Sequence, residues 1–197
     1  MELNNSNTRI FKSMARVGGA IGKGLIAGFA GTVAITLSQM IEMQITKRKA
    51  SSSPVIVGGK VLGVEPKGKA EVERKKAKNE EPGEAKQNLQ QNKELFGQWM
   101  HYGYGTGWGV FRGALDLAKV NGKAADLALF GGIWGTAQVM IPMTTGSKPI
   151  YKWPPTQIAV DVLHHAVYAL VAGELYEAMR KAEKTRKKKK KSKFLFL

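Results

Sequence analysis

The chain has 197 residues, of which 43% are hydrophobic and 23% are charged, and these averages fit one soluble domain. The charges are unevenly placed, because 12 of the 31 Lys and Arg residues lie within 47–93 and 10 within 180–193. The nearly uncharged blocks between them exclude a uniformly disordered basic protein and argue against a water-soluble globule. The lack of cysteine excludes disulfides, thiol catalysis and thiolate metal sites.

The first apolar block follows a basic, polar N-terminal segment, residues 1–19. Because a helix rises about 1.5 Å per residue, residues 20–43 are enough to cross a hydrocarbon layer of roughly 30 Å. A signal peptide is the alternative. The block is long, however, and is followed by the basic run 47–49 rather than by a small-residue cleavage site. We therefore expect a retained transmembrane helix over 20–43.

Residues 44–94 are polar and charged, and prolines and glycines interrupt them repeatedly. Their valine-rich pieces are too short to cross a bilayer. We expect a solvated, partly disordered loop, in which the mixed charges of 69–78 favour a short exposed helix.

Three further apolar blocks predict transmembrane helices over 95–118, 124–143 and 156–179. The block 95–118 is the weakest of these by hydropathy. Its alternating glycines resemble a phosphate-binding loop, but no Gly-Lys-Ser/Thr follows, so we do not expect a nucleotide site. A Lys-rich tail, 180–197, ends the chain.

These blocks predict an all-α integral membrane protein, a four-helix bundle with a long polar loop after the first helix and a basic C-terminal tail. Four spans place both termini on one side of the membrane. Lys and Arg residues number 16 on that side and 14 on the other, so the positive-inside rule barely decides the orientation. The five lysines at 187–191 resist translocation, and we therefore expect both termini in the cytoplasm.

Small residues recur on three of the predicted helices. Lipid offers helices no hydrophobic reason to associate, so close packing must come from such residues and from polar contacts. The predicted packing faces are Gly24, Gly28 and Thr32 on the first helix, Gly105, Gly109 and Gly113 on the second, and Gly131 and Gly135 on the third.

Polar residues within the last span share one side of the helix, because their spacing is three or four residues. Together with one histidine of the second span they define an intramembrane polar cluster: His101, Asp161, His164, His165 and Tyr168. One hypothesis is a site that relays protons or holds an ion or ligand. The alternative is that these groups only hydrogen-bond between helices. Adjacent histidines diverge by about 100° on a helix, so we expect no metal site and no cofactor.

Arg112 also lies within a predicted span, where a charge needs a partner. Counting along parallel helices places Glu174 at a matching depth, whereas Asp116 lies one turn further along the same helix. Both are candidate partners for an ion pair.

Three stretches carry a resemblance to a known family. They are KGLIAGFAGTVAITLSQMIEMQI followed by KRKASSSP, then HYGYGTGWGVFRG, then DVLHHAVYALVAGELYE. In these stretches, which cover about half of it, the chain resembles the YagU-like (DUF1440-type) group of small bacterial multi-pass inner-membrane proteins. The resemblance implies a four-helix integral protein of the plasma membrane, and it carries no catalytic assignment to transfer. The long charged loop and the KKKKK tail depart from that group, which leaves their role open.

We therefore expect a non-enzymatic multi-pass protein of the bacterial inner membrane, with a proton- or ion-linked polar site inside its helices. One alternative is a membrane-anchored interaction protein whose basic loop and tail bind anionic lipid headgroups or a partner. Another is a subunit of a membrane transporter or enzyme. The lipid bilayer is the expected partner. Four helices are few for a solute path, which favours a homo-oligomer. No folded binding motif accompanies the basic tail, so nucleic acid is not an expected partner.

Overall fold

The computed structural model describes the backbone of residues 2–195 and the side chains of residues 7–189 and 192. Over that part of the chain the protein is all-helical and has no strand, which confirms the predicted all-α class. The helices are α1 (Glu2–Thr46), α2 (Ser53–Leu62), α3 (Lys69–Ala77), α4 (Gly83–Leu117), α5 (Lys123–Thr145) and α6 (Pro155–Leu195), with a 3₁₀ turn at Ile150–Lys152. Met1 and the last two residues of the predicted tail lie outside the described residues.

Helices α1 and α6 are longer than the apolar blocks that predicted them. Helix α1 begins at Glu2 and α6 continues to Leu195, so the basic segments at both ends continue the helices. The difference arises because hydropathy marks the part of a helix that suits lipid, whereas a helix continues into polar sequence until its backbone conformation changes. No proline interrupts residues 2–46, and α1 ends where Lys47 adopts a positive φ of 59°.

The segment 44–94 is more ordered than expected, because it contains α2, α3 and the first turns of α4. Pro54 lies in the first turn of α2, and Gly63 ends that helix with a φ of 65°, as the backbone preferences of these residues favour. Helix α2 lies on α4, where Gly58 contacts Met100 and Val55 contacts Gly97. Burial against α4 therefore orders a segment whose own sequence predicts a loop.

The four long helices run antiparallel to their main neighbours. Close contacts of Gly24 with Gly109 and of Ala20 with Gly113 place α4 along α1 in the opposite direction. Lys23 of α1 pairs with Glu183 and Ser38 contacts His164, which shows that α6 is antiparallel to α1 as well. Helix α5 packs on α6 and contacts α4. Helices α4 and α6 consequently run in the same direction.

The tightest contact is between α1 and α4, and it is made by backbone. A Cβ on Gly28 would lie 2.6 Å from the carbonyl oxygen of Thr106 and 2.9 Å from the Cα of Gly109. One on Gly105 would overlap the hydroxyl of Thr32. Glycine is needed at this interface because any side chain would push the two helices apart.

The third predicted packing face, Gly131 and Gly135, makes no such contact. A Cβ on either residue would meet no atom within 4 Å, whereas one on Gly132 would lie 2.9 Å from the Trp108 ring. The expectation for these two glycines was therefore wrong. Spacing identifies residues on one face, but it does not say whether that face meets another helix.

Within the described part of the chain, three helices are long and apolar enough to cross a membrane, and they span Asn7–Thr46, Lys123–Thr145 and Pro155–Lys189. Their outward surfaces remain apolar, since Phe29, Leu37 and Leu170 are each more than half exposed. Helix α4, which holds the second predicted span, falls outside this set. Its polar and charged residues lower its hydropathy, as the sequence of 95–118 already indicated.

We expect Gly109→Ala to destabilise the protein by about 1–3 kcal/mol, because its methyl group would overlap the Gly24 carbonyl and backbone cannot move aside cheaply. Gly107→Ala is the matched control, since a Cβ there meets nothing within 4 Å and alanine favours helix. Thermal unfolding of the detergent-solubilised variants, followed by circular dichroism, measures both. Equal stability of the two variants would contradict the proposed role of the contact.

Candidate functional site

Arg112 is fully buried where α4, α5 and α6 meet. Its Nη2 donates a hydrogen bond to Glu177 Oε1 at 2.7 Å, and its Nε lies 3.6 Å from Asp126 Oδ1. The guanidinium also stacks over Tyr176, with 4.4 Å between Cζ and the ring centroid. Two carboxylates and an aromatic face thus offset the cost of burying this charge. We call Arg112, Asp126, Tyr176, Glu177 and Arg180 the arginine network.

Glu177 connects the parts of the arginine network. Its Oε2 accepts hydrogen bonds from Arg180 Nε at 2.9 Å and Nη2 at 2.6 Å. Its Oε1 also accepts the backbone N–H of Gly122, at 3.1 Å. Gly122 immediately precedes α5, so one carboxylate holds three helices at a fixed register.

The network is incompletely satisfied within the part of the chain that the structure describes. Arg112 Nε and Nη1 and Asp126 Oδ1 have no hydrogen-bond partner there. The 3.6 Å separation of Arg112 Nε from Asp126 is too long for a hydrogen bond, so their attraction is coulombic. Glu177 is therefore the partner on which Arg112 depends most.

The predicted partners of Arg112 were wrong. Among the described residues, Arg112 pairs with Glu177 and Asp126 rather than with Asp116 or Glu174. Asp116 instead accepts a hydrogen bond from the Tyr176 hydroxyl at 3.0 Å, and Glu174 is exposed. A count of residues along the helix does not distinguish Glu174 from Glu177 as the partner of Arg112. Three residues fall about 60° short of a full helical turn, and that rotation decides which carboxylate faces inward.

The predicted polar cluster lies toward the C-terminal end of α1. We call His101, Asp161, His164 and His165 the histidine layer. Asp161 Oδ2 accepts hydrogen bonds from Trp134 Nε1 and Gln138 Nε2 of α5, both at 2.8 Å. Nδ1 of His165 lies 2.8 Å from the Asp161 carbonyl oxygen and 3.7 Å from its Oδ1. The carboxylate thus meets α5 on one side and an imidazole on the other.

The other two histidines face α1. His164 Nδ1 lies 2.8 Å from Ser38 Oγ, and its Nε2 lies 4.0 Å from Glu42 Oε2. His101 Nε2 lies 3.1 Å from Thr36 Oγ1. The two adjacent histidines therefore serve different helix contacts, as their angular divergence predicts.

Tyr168 is separate from the histidine layer. It is fully buried, and its hydroxyl donates to the carbonyl oxygen of Gly105 at 2.6 Å. It belongs to the apolar middle of the assembly, with Leu129, Ile133 and Ala172. Eleven residues of α4 separate His101 from Arg112, which is about 16 Å along the helix. Two polar layers thus flank an apolar centre.

The geometry of these layers suits hydrogen bonding and charge pairing between helices. Across the residues that the structure describes, no group of three or more His, Asp or Glu side chains is arranged to hold a metal ion. Each histidine already contacts a hydroxyl, carbonyl or carboxylate of a neighbouring residue. Chemically, an imidazole in such a contact can gain or lose a proton, and the contact between helices can change when it does.

Several residues of the two layers were missed in the sequence. They are Glu42, Asp126, Trp134, Gln138, Tyr176 and Glu177. A signal existed for Glu177, because Arg180 follows it at a spacing of three on the same helix. Asp126 lies in the first turn of α5, where an acidic residue is favoured by the helix dipole alone. Its role toward Arg112 therefore has no signature in the sequence.

Comparison of the chain with protein families, curated proteins and solved structures finds no match. The assignment of these residues therefore depends on their geometry.

Glu177→Gln should destabilise the protein by about 3–5 kcal/mol, because it removes the charge that neutralises the buried Arg112. Glu174→Gln, on the same helix but exposed, is the matched control and should change stability little. Denaturation of both variants in detergent micelles tests this difference. A larger loss for Glu174→Gln would restore the pairing that the sequence predicts.

Proposed function

We propose that the chain is a non-enzymatic multi-pass integral protein of the bacterial inner membrane, in which α1, α4, α5 and α6 are the four spans and the histidine layer is a proton-linked site. The three apolar helices and their exposed apolar surfaces support the membrane location. The family resemblance agrees with this proposal.

We place the fourth span on the later part of α4, from residue 95 onward, because the charges there are paired inside the protein. Arg112 is neutralised by α5 and α6, and Asp116 accepts a hydrogen bond from α6. Its exposed side chains include Trp99, Val110 and Phe111, which suit lipid or its interface. Hydropathy counts a buried charge as if it faced lipid, so it underestimates such a helix.

The antiparallel order of these helices supports placing both termini on one side. Lys23 of α1 pairs with Glu183 of α6 at 2.6 Å, so the two basic ends leave the bundle together. The Lys-rich continuation of α6 resists translocation, which favours the cytoplasmic side.

Reporter fusions test this topology. A reporter inserted between α2 and α3, in 63–68, and one at the C-terminus should lie on opposite sides of the membrane, with the C-terminal one cytoplasmic. A fusion at the N-terminus should match the C-terminal one. Finding the first two reporters on one side contradicts a four-span arrangement.

The observation that carries the proton-linked site is the sharing of Asp161. Its carboxylate accepts hydrogen bonds from α5 while His165 stands 3.7 Å away, close enough to form an ion pair once protonated. A quarter of the Asp161 side chain is exposed at the protein surface. Protonation of His165 draws the carboxylate away from Trp134 and Gln138, and thereby weakens the contact between α5 and α6.

Trp134 reports directly on this exchange. In a chain whose other tryptophans (Trp99, Trp108 and Trp153) are replaced by Phe, we expect the Trp134 emission to change with pH, because protonation of His165 moves the carboxylate that accepts the indole N–H. Asp161→Asn should abolish the titration, because the amide forms no ion pair with His165. Asp116→Asn, the same change in the other polar layer, should preserve it.

Two outcomes decide the proposal. Titration that persists in Asp161→Asn would show that another group is responsible and would overturn the assignment. A flat profile in the parent chain, with the helix content unchanged, would mean that the histidine layer only fixes the register of the helices.

A second function is favoured by the uninterrupted helix α6, which carries the Lys-rich segment beyond the span as a rigid extension. Such a cationic helix binds anionic lipid headgroups, and the rest of the chain then serves as an anchor. Removal of 186–197 keeps the Arg180–Glu177 and Lys23–Glu183 pairs and removes only the exposed Lys187 from Glu183. Cellular function that survives neutral substitution of Asp161 and His165 but not this truncation identifies the second function.

A further inference from the structure

Helices α2, α3 and the first turns of α4 line an open groove of about 790 Å³. We call it the α2–α4 groove. Apolar side chains from all three helices and from the α2–α3 link line it: Val55, Ile56, Val64, Val72 and Leu89. Its volume lies within the range of sites that hold small molecules.

Four lysines also line the groove, and they are not equally occupied. Lys60 donates to the carbonyl oxygen of Thr144, and Lys69 pairs with Glu65 at 2.6 Å. Within the described residues, the ammonium groups of Lys76 and Lys93 have no hydrogen-bond or ion-pair partner. Glu65 and Glu73 line the groove as well, so its four lysines leave two positive charges in excess beside the apolar wall. This balance favours a ligand that is anionic at one end and apolar at the other.

The groove lies at the end of the molecule where aromatic residues are exposed. Trp99 of α4 is 77% exposed, and Val55 of α2 packs against Gly97 two residues before it. Tyr151, between α5 and α6, is also strongly exposed at this end. Exposed Trp and Tyr mark the membrane–water interface. On the proposed topology, which this step assumes, the groove is therefore continuous with the outer face of the bilayer.

Helix α2 extends this apolar surface toward lipid. Val61 and Leu62, in its last turn, are each more than half exposed, and Val64 beyond them lines the groove. On the proposed topology, apolar side chains of α2 thus lie along the path between the bilayer and the lysines, where they can contact an acyl chain.

We propose that the α2–α4 groove binds a single anionic phospholipid of the surrounding bilayer. Its phosphate lies between Lys76 and Lys93, and the part of an acyl chain nearest the headgroup lies on the apolar wall. The site is distinct from the Lys-rich end of α6, which lies at the opposite end of the helices. A phosphate on a nucleic acid would satisfy the lysines but leave the apolar wall in water, which disfavours that ligand.

Photocrosslinking tests this site with the full chain in nanodiscs of phosphatidylcholine. The probe is phosphatidylglycerol with a diazirine on an acyl chain, near the headgroup. Peptide mass spectrometry locates the crosslinked residues. We expect crosslinks at 55–64 and at 72–89. The double charge reversal Lys76→Glu and Lys93→Glu should lower them roughly tenfold or more. Lys187→Glu with Lys188→Glu, an equal change of charge on α6, should leave them unchanged.

The controls separate the groove from the membrane topology. Phosphatidylcholine carrying the same diazirine should label the groove far less. Equal labelling by both lipids, or labelling unaffected by the double reversal, would overturn the proposal while the chain remains inserted. A chain that fails to enter nanodiscs, or reporters that lie on one side, would instead refute the topology that the groove assumes.

Discussion

The close approach of α1 and α4 is the constraint on which the rest of the structure depends. Helices in lipid gain no hydrophobic energy by associating, so contact must come from packing at short range. Gly24, Gly28 and Gly109 allow backbone to meet backbone, and a methyl group at any of them would separate the helices. The same register places Thr36 beside His101 and so determines where the histidine layer forms.

Glycine contacts position α1 against α4, and charge pairs then position the other long helices. Arg112 is buried against Glu177 and Asp126, and this network joins α4, α5 and α6 near one end. Asp161 joins α5 to α6 near the other end through Trp134. An apolar middle separates the two layers. This separation is the physical basis for our proposal of a proton-linked site in one layer and a structural role in the other.

Much of the fold was predictable, because hydropathy and glycine spacing are local properties. The long apolar blocks became long helices, and the small residues of the first two blocks lie in one interface. Other features depend on distant partners. The loop 44–94 contains helices because α4 covers α2, and Gly131 is open because no helix meets its face. The choice of Glu177 over Glu174 depends on a rotation that no count along the chain reveals.

The sequence alone determined the helical class, the apolar blocks suited to lipid, and the polar groups within those blocks that need a partner. These follow from composition and periodicity, which every segment carries within itself. Three-dimensional packing alone decided which polar groups lie together: Arg112 with Glu177, Asp161 with Trp134, and the lysines of α2, α3 and α4 around one groove. The reason is geometric. The rotation and register of two packed helices decide which residues are partners across their interface, and neither can be read from the sequence of one helix.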